Sequence, residues 1–100
     1  MKIAVDENRI TICGRAGGTV RFTDIAEVAA EKMDKVTYEE VFLIVQARTG
    51  EVITLGELDE DFAQAEQVLR MRLEGFSENW WQEAEQRPAG LRAKVWQAAA

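Results

Sequence analysis

Glu57, Asp59, Glu60 and Asp61 form the densest group of side chains in this sequence that could do chemistry. Four carboxylates in five positions could cage a divalent cation, since hard cations want several oxygen ligands on a flexible loop. The spacing departs from a calcium-loop pattern: no glycine breaks the segment and no acid follows at the required distance. Acids just ahead of a helix also stabilise its exposed amide groups, and that reading is favoured over a metal site. General acid–base catalysis would need a shared pocket and shifted pKa values, which spacing alone does not supply. The chain has no histidine, which removes the residue most used for proton transfer near neutral pH and the commonest zinc ligand.

Cys13 is the single cysteine, so an internal disulfide and a multi-cysteine metal site are both excluded. Arg15 nearby could lower a thiol pKa, but with no histidine as base the expected role is buried apolar packing. Gly14, Gly17 and Gly18 lack the lysine and the helix of a phosphate cradle and read as a turn. No catalytic residue, metal site or cofactor is expected.

The tryptophans carry more information. Trp80, Trp81 and Trp96 all fall in the last 21 positions. Adjacent Trp80 and Trp81 point about 100° apart on a helix, so one surface does not bury both. The plain reading covers a core edge with one and tucks the other under the C-terminal segment. The sharper reading makes one an anchor for a partner, since Trp is enriched at binding hot spots.

Ile3 and Val5, then Ile10 and Ile12, alternate with polar neighbours around Asp6-Glu7-Asn8, which reads as a hairpin over residues 2–13. Residues 19–22 form another alternating strand. Residues 24–33 lean towards helix, because Asp24 and Glu27 have capping-box spacing and Ile25, Val28, Ala29 and Met33 share a helical face. Residues 40–47 and 51–55 flank Thr49-Gly50 and give the strongest hairpin signal. Both faces of the first of these strands are apolar, so it is expected to be central and covered on both sides. Phe62, Ala65, Leu69, Leu73 and Phe76 mark an amphipathic helix over about 60–73, with Gly75 at the cap position beyond it. Ser77 is placed to cap a second helix through Trp80, Trp81 and Ala84 that Pro88 stops. Leu91, Val95 and Trp96 would form a last amphipathic piece.

One hundred residues suit a single domain with one core. The net charge is -6, and the second half carries ten acids against five bases. No basic stripe is present to neutralise phosphates, so nucleic acid and anionic membrane surfaces are disfavoured while a cationic partner is favoured. The longest apolar run, residues 41–45, is far short of the roughly 20 needed to cross a bilayer, and charge near the start interrupts any signal region. A cytoplasmic setting is expected.

The stretch from Ile25 to Trp81 resembles a group of small, largely uncharacterised bacterial proteins of pleckstrin-homology-like fold. The residues that carry this are Lys32-Met33-Asp34, Thr37-Tyr38-Glu39-Glu40, the strand of residues 41–43, Glu57, Phe62, Leu73-Glu74-Gly75-Phe76 and the Trp80-Trp81 pair. The resemblance implies a strand, not a helix, at residues 25–33, and it brings no assigned catalytic residues. Phosphoinositide-binding members of that fold place basic residues at the first hairpin turn. Here the turn is Asp6-Glu7-Asn8, so headgroup binding is not carried over.

The expectation is thus an α+β protein: a bent antiparallel sheet or partly open barrel over residues 1–76, closed by the helix at about 60–73. A short helical extension over residues 77–100 packs on it. The expected function is non-enzymatic protein binding, with Trp80, Trp81 and Trp96 as apolar contact and Glu57, Asp59, Glu60 and Asp61 as acidic rim. An acidic inhibitor or immunity protein masking a basic partner is one alternative. A small-ligand or metal-dependent enzyme is the other. A homodimer is compatible with each.

Overall fold

Alternation in the first thirteen residues produces the hairpin it predicts. The computed structural model describes residues 2–13, 17–34 and 37–99, and in it β1 (Lys2–Val5) pairs antiparallel with β2 (Arg9–Cys13). The Ile3↔Ile12 register puts Ile3, Ile10 and Ile12 in the core. Asp6 holds the turn, its Oδ1 accepting the backbone N–H of Asn8 at 2.7 Å and of Arg9 at 2.9 Å. Those two bonds favour the charged form and hold the Asp6 carboxyl below its ordinary 3.8. β3 (Thr19–Arg21) adds to β2 and completes a three-stranded sheet, β1-β2-β3. Phe22, expected at the end of that strand, instead opens a 3₁₀ turn (Phe22–Asp24).

The next element is a strand. β4 (Ile25–Asp34) runs ten residues between β5 (Glu39–Ala47) on one side and β7 (Ala93–Gln97) on the other. The local helical lean is overruled by tertiary pairing: with partners on both edges, the strand buries Val28, Ala29 and Ala30. β5 continues through Gly50, which sits at φ +96° in the turn, into β6 (Val52–Gly56), and the sheet order is β6-β5-β4-β7. β5 is central as expected, with Val41, Leu43, Val45 and Ala47 buried. Phe42 and Ile44, on its other face, are only half-buried, so full cover on both faces is corrected to cover on one.

α1 (Phe62–Arg72) lies against β1 and sends Ala65 and Leu69 into the core, followed by Leu73 and Phe76. Its stop is the predicted one, with Gly75 at φ +89° just beyond. The N–H of Ile3 donates to the Glu60 carbonyl at 3.0 Å and ties β1 to the chain entering α1.

α2 (Trp80–Gln86) follows, with Asn79 at its N-cap position. Ser77 is not the cap: its N–H donates to the Val95 carbonyl at 3.1 Å and its hydroxyl to Glu83 Oε1 at 3.3 Å. The expected amphipathic ending is β7 instead, because the open edge of β4 offers a ladder of hydrogen bonds and the core takes Val95. Trp80, Ala84 and Val95 belong to the same buried cluster as Ile3 and Leu43. The protein is α+β, and the described residues form two antiparallel sheets and two α-helices with no closed barrel. No helix in the described residues is long and apolar enough to cross a membrane.

Candidate functional site

The acidic segment after β6 is divided by its own hydrogen bonds. Glu57 exchanges backbone and side chain with Val41: its N–H donates to the Val41 carbonyl at 3.1 Å, and its Oε1 accepts the Val41 N–H at 3.0 Å. Asp59 Oδ2 accepts the Gly56 N–H at 2.9 Å. The neighbouring Glu40 is 7% exposed, and its Oε2 accepts the Leu58 N–H at 3.4 Å. Three carboxylates thus hold the turn between β6 and α1 by taking its backbone donors and the one at Val41. Glu60 and Asp61 are exposed beside β1 and at the start of α1. Among the described residues no three acids or cysteines are grouped to hold a metal ion.

The tryptophans occupy three different settings. Trp80 is 3% exposed and meets Phe62 edge-to-face at 6.0 Å between ring centroids. Its Nε1 is buried and has no hydrogen-bond partner among the described residues. Trp96 is half-buried, with Nε1 donating to the Glu74 carbonyl at 2.8 Å. Trp81 is the tryptophan left at the surface, 41% exposed, and its Nε1 donates to Glu57 Oε2 at 2.9 Å.

Trp81 and Glu57 line an open cleft of about 620 Å³. Helix α2 contributes Trp81 and Glu85, four residues apart and therefore on one helical face. The β4–β5 hairpin contributes Asp34, Tyr38 and Glu39, with Tyr38 50% exposed. Behind the cleft, the Lys32 ammonium donates to the Glu85 carbonyl at 2.9 Å and lies 3.4 Å from Glu39 Oε2. That lysine tethers α2 to the hairpin while leaving the carboxylates of Asp34 and Glu85 without partners among the described residues.

Of the residues singled out from sequence, the structure brings Glu57 and Trp81 together. It places Asp59 in the turn, Trp80 in the core, Trp96 against the end of α1, and Glu60 and Asp61 outside the cleft. Asp34, Tyr38, Glu39 and Glu85 were not singled out as a site. The Trp81–Glu85 spacing was a readable signal, but their place opposite Tyr38 depends on the packing of α2 on β4.

Cys13, expected to be buried, is exposed. Ile10 and Ile12 take the inward positions of β2, so the next residue in the alternation faces out. Gly14 of the glycine-rich turn lies outside the described residues. No protein-family model matches the chain, and no curated protein or solved structure matches it.

Proposed function

We propose that this chain is a non-enzymatic, cytoplasmic protein-interaction domain that binds through the face around Trp81. The observation that carries the reading is the state of that indole: well exposed, oriented by a bond to Glu57, and set in a concave surface with a second exposed aromatic, Tyr38. Exposed aromatics held in place lose little side-chain entropy on binding, which suits them to anchor a partner. A pleckstrin-homology-like arrangement is proposed with it, supported by the antiparallel sheets and amphipathic α1, with β7 as an addition after the helix.

The test is affinity capture from a lysate of the native host with the parent protein and with Trp81→Ser, both checked for folding. A stoichiometric protein retained by the parent and lost by the variant supports the reading. Capture that does not depend on Trp81, or none at all, refutes it. A second copy of the chain retained in the same way identifies a homodimer.

A further inference from the structure

We infer that the cleft receives an arginine side chain presented by a protein partner. This rests on the protein-interaction reading and names the chemistry of what that face binds.

Charge complementarity selects a cation. Four carboxylates line the cleft, Asp34, Glu39, Glu57 and Glu85, and among the described residues Lys32 is the one cation bonded to that wall, behind Glu39 and Glu85. Glu57 takes its hydrogen bonds from neutral donors, the Val41 amide and the Trp81 indole. Bringing a positive group here removes mutual repulsion among the acids as well as adding attraction.

Geometry then selects the kind of cation. A compact metal ion needs several oxygens converging at short distance, and no three of these acids converge. The charge is spread instead around the exposed surfaces of Trp81 and Tyr38. A guanidinium is large, planar and weakly hydrated. It can lie on an aromatic face while its edge donates to a carboxylate. Glu57 already occupies the Trp81 N–H, so the indole has no donor left to compete for a neighbouring acid. The chain places an arginine over an aromatic ring internally, where the Arg72 guanidinium sits 5.0 Å from the centre of the Phe22 ring.

The experiment is a titration of the ¹⁵N-labelled full chain with a capped Gly-Arg-Gly-Arg-Gly peptide, followed by NMR. The same peptide with citrulline for arginine keeps the shape and removes the charge. The expected result is a shift of the Trp81 indole and the Tyr38 and Glu85 amide signals, with citrulline binding at least about tenfold weaker. An Asp34→Asn/Glu85→Gln variant, which among the described residues removes no hydrogen bond or ion pair made by either side chain, is expected to weaken the arginine peptide similarly. Equal binding of the citrulline peptide overturns the inference while leaving an uncharged partner for the face. Shifts centred on Glu60 and Asp61, or none from either peptide, overturn it as well. The protein-interaction reading itself fails separately, by loss of Trp81-dependent capture.

Discussion

Trp81 and Glu57, 24 residues apart, are joined by an indole-to-carboxylate hydrogen bond of 2.9 Å. The other oxygen of Glu57 is engaged by the Val41 amide, so one side chain fixes both the β5–β6 edge and the exposed aromatic of α2. Glu57→Gln tests this double role. Both partners are N–H donors, and glutamine offers one accepting oxygen and one NH₂ group, so one donor must lose its acceptor. The expected cost is about 1 kcal/mol, because Glu57 is only half-buried and water can reach the released group. The checks are urea denaturation and the Trp81 indole resonance. An unchanged midpoint and unchanged resonance would show that the carboxylate fixes neither.

The adjacent tryptophans should respond in opposite ways. Trp80→Ala removes a 97% buried ring from the cluster that unites α1, α2 and both sheets, and a loss of about 3–5 kcal/mol is expected. Against a total stability of roughly 5–15 kcal/mol, that variant should be largely unfolded on mild heating. Trp80→Phe should cost much less, since it keeps a ring against Phe62 and deletes the indole N–H that has no partner among the described residues. Trp81→Ala should stay within about 1 kcal/mol of the parent. Thermal unfolding of the three variants decides it, and equal losses at positions 80 and 81 would contradict the assignment of one to core and one to surface.

Where local pattern and tertiary demand agree, the fold is readable from residues alone. The alternation of residues 2–13, the apolar run of β5 with its Thr49-Gly50 turn, and the stripe from Phe62 to Phe76 are such cases. They fail to agree in β4 and β7. Ile25, Val28 and Ala29 suit a helix face until β5 and β7 claim both edges of the strand. Val95 and Trp96 suit a terminal helix until the edge of β4 is left open. The site divides similarly. Tryptophan and acid are recognisable types, so Trp81 and Glu57 stand out. Which of Trp80 and Trp81 turns inward depends on how α2 docks, and Asp34, Tyr38, Glu39 and Glu85 meet because α2 packs on β4, where Lys32 also ties hairpin to helix.

Asp6 gives a prediction in pH. Its folded-state pKa lies below the ordinary 3.8, first because the Asn8 amide donates to it and then because the Arg9 amide does. A depressed carboxylate contributes stability that is fully present above the unfolded value and is lost as pH falls through the folded one. The stability difference between the parent and Asp6→Asn should therefore be flat near neutrality and shrink below pH 3.8. The side chain is exposed, so the effect is small, and it should show first as faster amide exchange at Asn8 and Arg9. A difference that grows towards acid would reverse the sign and remove the turn bonds as its cause.

Gly56 closes β6 at a point where no side chain fits. An added Cβ would lie 2.5 Å from Glu40 Oε2, 3.1 Å from Phe42 Cε1 and 3.2 Å from Asp59 Oδ2. The Glu40 carboxylate is the end of a flexible chain, but it is buried and holds the Leu58 N–H, so moving it surrenders that bond. Gly56→Ala should cost about 1–3 kcal/mol through this displacement. Glu40→Ala alone should also destabilise, by leaving the Leu58 amide without its acceptor. Combined, the two should cost clearly less than their sum, because the second change removes the atom the first one strikes. A double-mutant cycle read by denaturation gives the coupling directly. Strict additivity would mean that the ring of Phe42 or the Asp59 turn, rather than Glu40, is what forbids a side chain at Gly56.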